Sequence, residues 1–122
     1  MKRIQRKRTK GWRMPENTVY VGRPSKWGNP FRLTKDGVIE CYAPHRRVPG
    51  NWMRWSLTGG FNMEDILELY ERWLNRELLA YVHIPPDVEE LRGKDLACWC
   101  KEGEPCHGDV LIEYLNKKHG EL

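Results

Sequence analysis

Apolar positions along the chain fall into short β-type runs in four places and into helical spacing in two. Thr18-Val19-Tyr20-Val21-Gly22 is a β-branched and aromatic run closing on glycine, and predicts a core strand. Asp95-Leu96-Ala97-Cys98-Trp99-Cys100 predicts another. Phe31-Arg32-Leu33-Thr34 and Val38-Ile39-Glu40-Cys41-Tyr42 flank Lys35-Asp36-Gly37, the pattern of a β-hairpin. Ala43 to Asn51 reads as a loop, and Asn51–Leu57, with Trp52 and Trp55 three apart, suits one helical turn or a short strand.

Helical spacing is clearest in Ile66, Leu67, Leu69, Tyr70, Trp73, Leu74, Leu78 and Leu79. Asn62 is a good N-cap for that helix, Glu64 and Asp65 put negative charge in its first turn, and the pattern carries it to about Ala80. Ile84–Leu91 reads as a short helix with prolines at its start, ended by Arg92-Gly93-Lys94. Gly108 to about Lys118 predicts the last helix, with Lys117, Lys118 and His119 at its C-terminus and Gly120 as the stop. Together these elements predict an α/β fold: a small single-domain sheet with at least two parallel strands, a β-hairpin and two to three packed helices.

Composition narrows this. With 122 residues, 39% hydrophobic and 31% charged, the chain can bury a core as one domain without staples. No apolar run reaches the roughly 18–20 residues of a membrane span, and no apolar stretch follows the basic N-terminus as in a secretory signal. A cytoplasmic protein without a membrane partner is the expectation. Its four cysteines are then read as reduced thiols or metal ligands rather than disulfides.

The net charge of +4 is unevenly placed. Lys2, Arg3, Arg6, Lys7, Arg8, Lys10 and Arg13 precede any acidic residue; without those seven of the 21 basic residues, 14 face 17 acidic ones. Residues 1–16 therefore read as a flexible basic arm on a domain spanning 17–122. Lys2, Arg3, Arg6, Lys7, Arg8 and Lys10 are its candidate phosphate contacts to nucleic acid, against the plainer reading of a frayed, solvated terminus.

Candidate chemistry concentrates in Cys98-Trp99-Cys100 and Pro105-Cys106-His107-Gly108-Asp109, where a strand feeds a loop and then a helix start. Three readings compete. In the catalytic one, the helix dipole activates Cys106, His107 exchanges its proton and Asp109 orients or caps. In the metal reading, Cys98, Cys100, Cys106 and His107 hold zinc, although the spacing is not the paired C-x₂-C of zinc ribbons. In the third, the cysteines only pack and His107 and Asp109 cap the helix. Cys41 and His45 have metal-ligand spacing, but a packed Cys41 is the better reading. The rigid loop Arg23–Phe31 supplies Arg23 and Lys26 for phosphate, Trp27 for stacking and Asn29 for orientation, or is simply a turn anchored by Trp27 and Phe31.

Val19-Tyr20-Val21-Gly22-Arg23-Pro24, Trp27-Gly28-Asn29-Pro30-Phe31, Leu91-Arg92-Gly93-Lys94, Cys98-Trp99-Cys100 and Pro105-Cys106-His107-Gly108-Asp109-Val110-Leu111 resemble the motifs of domain of unknown function 4326, a family of phages and bacteria. The resemblance runs from Val19 to Asn116 and implies a small intracellular α/β protein of no assigned activity. The leading expectation is a protein that binds or processes a nucleotide, nucleobase or nucleic-acid-linked group. Its pocket would lie between the Arg23–Phe31 and Cys98–Asp109 loops, with Cys98 and Cys100 among the ligand contacts and no cofactor required. The alternatives are a non-catalytic zinc-stabilised nucleic-acid-binding module and a phage protein that captures a host factor through its Trp-rich segment.

Overall fold

The structure, a computed structural model, describes residues 1–23, 25–44, 51–101 and 103–118. The fold is α/β, with two three-stranded sheets and two α-helices among the described residues. The chain divides into two compact units: residues 1–28 with 86–122, and residues 29–85.

The first unit is built on a parallel sheet of β1 (Arg3–Gln5), β2 (Thr18–Tyr20) and β6 (Asp95–Cys98), with β6 in the centre. A central strand of a parallel sheet is covered on both faces, and Leu96, Ala97 and Cys98 are fully buried accordingly. Helix α2 (His107–Lys118) packs on β6 and β1 through Leu111 and Leu115. β1 lies inside the stretch expected to be a flexible arm. An apolar Ile4 flanked by long side chains is a weak strand signal alone, and β6 supplies its backbone partners, Arg3 opposite Leu96 and Gln5 opposite Cys98. The expected helix at Ile84–Leu91 is reduced to a 3-10 turn, Glu89–Leu91, whose first N–H bonds to Asp87 Oδ1.

The second unit is an antiparallel sheet of β3 (Phe31–Leu33), β4 (Ile39–Pro44) and β5 (Asn51–Leu57), with helix α1 (Met63–Leu74) against β3. β3 and β4 form the expected hairpin, Phe31 opposite Cys41. Gly37 at its turn has φ +74°, and an added Cβ would come within 2.8 Å of the Gly60 Cα. Only glycine satisfies both demands. Between helix and strand for residues 51–57 the structure chooses strand, its Cys41–Trp55 register placing Trp55 where its indole meets Phe31 at 6.0 Å. Trp52, Met53 and Leu57 stay exposed on this edge strand.

Asn62 caps α1 as expected: its side chain accepts from the Asp65 N–H, and the Asp65 carboxylate accepts from the Asn62 N–H. The helix stops at Leu74 rather than Ala80. Arg76 adopts φ +61°, a left-handed residue that terminates the helical ladder while Leu78 and Leu79 continue in turns. Tyr70 and Trp73 are fully buried, and the Trp73 indole N–H donates to the His83 carbonyl at 2.7 Å. Cys41 is buried here too, and burial pushes its thiol up to about 11, as suits a packing residue. His45, most of the expected 43–51 loop, and the His119–Gly120 helix end lie outside the described residues.

Candidate functional site

The C-terminal ends of parallel strands are where α/β proteins gather chemistry, because successive loops converge there. In the first unit three chain segments leave the sheet at that edge: residues after Gln5, after Tyr20 and after Cys98. Register sorts their side chains by face. Arg3 and Gln5 align with Leu96 and Cys98, while Ile4 and Tyr20 align with Ala97. Cys98 and Cys100 therefore share one side of the chain and Trp99 the other, as their alternation predicts.

On the cysteine side, the Sγ atoms of Cys98, Cys100 and Cys106 all lie within 4.8 Å of one another. Cys98 ends β6, Cys100 follows the bend, and Cys106 sits at the mouth of α2, where its carbonyl accepts the Asp109 N–H. Cys98 Sγ and Cys106 Sγ are only 2.9 Å apart, close enough to share a proton. Without an ion, the charge of the pair settles on Cys98. The Cys106 thiol donates to it, the Cys100 N–H faces it and the Arg3 guanidinium stands 3.9 Å away, which together hold its thiol down at about 5. Cys106 and Cys100 are pushed up, Cys106 by donating its proton to Cys98 and Cys100 by burial.

Arg3 assembles this loop. Its Nε donates to Asp109 Oδ1 at 3.0 Å, Nη1 to the Cys100 carbonyl at 3.1 Å, and Nη2 to the carbonyls of Lys101 (3.1 Å) and Glu104 (3.2 Å). One guanidinium thus ties β1 to the thiol loop and to the first turn of α2. The sequence showed Arg3 as one of seven basic residues, and nothing local distinguished it. The one available signal was Ile4 beside it, an apolar residue inside a basic run.

His107 Nε2 is 2.7 Å from the Val21 carbonyl, which can only accept, so Nε2 carries the ring proton and Nδ1 keeps its lone pair. Burial lowers its basicity, so the ring is neutral. Nδ1 lies 3.8 Å from Cys106 Sγ, although His107 is not one of the mutually close trio. Asp109, grouped by sequence with His107, turns to Arg3.

The remaining predicted residues have other partners. Lys26 pairs with Glu90 at 3.0 Å and covers the Trp27 ring at 4.7 Å, and the Trp27 indole N–H points to the Asp87 carbonyl at 3.4 Å. Asn29 is buried and accepts the Phe31 N–H at 2.9 Å, the geometry of a turn former. Arg23 is exposed, and its positive charge reaches His107. Beside β1, a concavity of about 240 Å³ is lined by Lys2, Arg3, Ile4, Gln5, Lys7 and Trp12. It falls below the roughly 300–1,000 Å³ of small-molecule sites.

On the other side of the sheet edge, the Arg6 guanidinium lies over the Tyr20 ring at 4.6 Å and over the Trp99 ring at 5.0 Å. Arg8 lies over Trp99 at 4.8 Å. No helix among the described residues is long and apolar enough to cross a membrane.

The chain is similar to an uncharacterised 12.4 kDa protein from the nrdA–td intergenic region of Enterobacteria phage T4, with 33% identity over 54 residues. That match covers 44% of this chain and 49% of the phage protein, so the chain spans about half the length of the relative it matches. No solved structure matches. The sequence profile of the family described as Domain of unknown function (DUF4326) fits residues 4–117, from β1 nearly to the end of α2, and the chain belongs to that family.

Proposed function

We propose that this protein holds a zinc ion through Cys98, Cys100 and Cys106 and uses the surrounding sheet edge to bind or process a nucleotide, nucleobase or nucleic-acid-linked group. The single observation that carries the reading is the meeting of three sulfurs within 4.8 Å. A tetrahedral ion with Zn–S bonds of about 2.3 Å spaces its sulfurs about 3.8 Å apart, so small rotamer changes seat it. The donor set fits the metal: thiolates are soft ligands, and Arg3 and the Cys100 N–H supply the outer hydrogen bonds that thiolate centres use.

Three protein ligands leave a fourth position. His107 Nδ1, with its proton fixed on the opposite nitrogen by Val21, can fill it, or a ligand atom can. When bound, the ion supplies Lewis-acid polarisation of a group placed there. The chain's own part is to fix the sulfurs, keep His107 neutral and set the Arg23 charge near it. In the metal-free protein Cys98 and Cys106 lie close enough to share a proton; His107 and Asp109 serve by position, one against Val21 and the other against Arg3.

Cobalt(II) titration of reduced, metal-free protein tests this. The account expects thiolate charge-transfer and tetrahedral cobalt bands saturating at one ion per chain, and Cys100→Ser abolishing saturation. Absence of those bands in folded protein overturns it. The ligand half is tested by thermal-shift screening against nucleotides, with stabilisation expected in wild type and reduced in Arg23→Ala.

A further inference from the structure

Each of the three parallel strands delivers one ring or guanidinium to the side of the sheet edge opposite the thiols. Arg6 follows β1, Tyr20 ends β2 and Trp99 follows β6. Arg6 lies over both rings and Arg8 over the indole, so the contacts run Tyr20–Arg6–Trp99–Arg8. The inner two, Tyr20 and Arg6, are half-buried, while the outer two are open: Trp99 is 40% exposed and Arg8 is exposed.

The base of the stack is fixed by construction. Arg6 N–H donates to the Cys98 carbonyl at 2.7 Å, continuing the β1–β6 pairing by one residue. The Tyr20 hydroxyl donates to the Arg23 carbonyl at 2.6 Å, and its ring lies where a Gly22 side chain would be: a Cβ there would be 2.5 Å from Tyr20 Oη. Two rungs are therefore anchored by backbone, and the open end carries positive charge.

An alternating ladder of rings and guanidinium planes ending in an exposed Arg suits a flat, electron-rich, anionic partner. Unpaired nucleobases stack on aromatic rings and on Arg planes, and their phosphates neutralise the cations. Lys7 and Lys10 extend the charge along the same segment, with no acidic residue before Glu16. A duplex offers phosphates but hides its base faces.

We propose that the Tyr20–Arg6–Trp99–Arg8 ladder is a binding site for single-stranded nucleic acid, in which an unpaired base continues the stack at Trp99 and Arg8 and the neighbouring phosphates meet the basic segment. The site gives a ligand class to the nucleic-acid half of the function proposed above, rests on that half alone, and does not need the metal.

The test is fluorescence anisotropy of the full-length protein with labelled oligothymidylate, a duplex of equal length, and polyglutamate as competitor, from low salt (about 50 mM) upward. The ladder predicts tighter binding to the single strand than to the duplex and weak competition by polyglutamate. Trp99→Ala should weaken single-strand binding on the order of tenfold, with Trp99→Phe recovering most of it. Arg8→Ala should lower affinity and make the salt slope shallower by about 0.7. Should Trp99→Ala lose its circular-dichroism spectrum, Trp99→Phe and Arg8→Ala decide the matter, since Arg8 is exposed and outside the core. Binding that is equal for duplex and single strand, or unchanged in Trp99→Ala, overturns the ladder and leaves only arm electrostatics. Binding of no nucleic acid at all overturns the ladder and the nucleic-acid half of the function together, with cobalt binding unaffected in either case.

Discussion

Replacing Arg3 with alanine separates a structural clip from a solvated tail. The side chain is 11% exposed and makes four hydrogen bonds to loop and helix oxygens besides its approach to Cys98. The bond to the half-buried Cys100 carbonyl is charge-assisted and contributes about 1.5–3 kcal/mol. The Asp109 partner is 53% exposed, so that ion pair adds only about 0–1 kcal/mol. Water can replace the guanidinium at the exposed Lys101 and Glu104 carbonyls, which then add a few tenths of a kcal/mol. The total is about 2–4 kcal/mol, a melting shift of about 10 °C in a chain of this size. Urea unfolding of reduced, metal-free protein measures it directly. A second consequence reads out at a different atom: loss of the cation beside Cys98 raises the pH at which its thiolate forms, followed by thiolate ultraviolet absorbance. Arg3→Lys keeps the charge without the fork and should restore less than half of the stability. An Arg3→Ala protein within about 0.5 kcal/mol of wild type, with an unmoved thiolate titration, would refute the clip and return Arg3 to the solvent.

Two further predictions concern titration and backbone. In wild-type metal-free protein, Cys98 is held down at about 5 against an ordinary thiol value of 9.0, so its stabilising effect is complete above 9.0 and is lost as pH falls towards 5. Cys106, pushed up, opposes this above 9.0, so the contribution of the pair to stability is greatest near that pH; urea midpoints across the range check the sign, and Cys98→Ser should flatten it. Gly37→Ala forces a side chain into a left-handed turn and against Gly60 backbone at 2.8 Å. It should cost at least about 2 kcal/mol, whereas Gly60→Ala, with φ +68° but open space, should cost less.

How far the fold could be read from sequence depended on whether the signal was local. The Asn62 cap, the Asp36-Gly37 hairpin and the basic Lys117-Lys118 end of α2 are properties of a few neighbouring residues, and their elements stand where those local signals put them. The end of α1 was hidden because Leu78 and Leu79 keep helical spacing past a left-handed Arg76. β1 was hidden for the opposite reason: three residues carry almost no pattern, and its strand character comes from pairing with Leu96 and Cys98, 93 residues on. The site divides in the same way. Strand alternation predicts that Cys98 and Cys100 face together, and the order of strand, loop and helix puts Cys106 at the helix start. No spacing rule showed that Asp109 would turn to Arg3, or that Arg6 would lie between rings from two other strands. Lys26, Trp27 and Asn29 have the residue types of a ligand loop, but they also meet Glu90, Asp87 and Phe31, contacts visible only once the chain is folded.

The three-thiolate metal centre is tested most directly by the metal content of the reduced, full-length protein after zinc loading and exhaustive dialysis, read by elemental mass spectrometry. One zinc per chain is expected in wild type and in Cys41→Ser, and loss of zinc in Cys98→Ser and Cys106→Ser, with chelation lowering the melting temperature of the first two proteins and not of the last two. Folded wild-type protein that retains no zinc, or zinc retained undiminished when Cys98 or Cys106 is replaced, would contradict it.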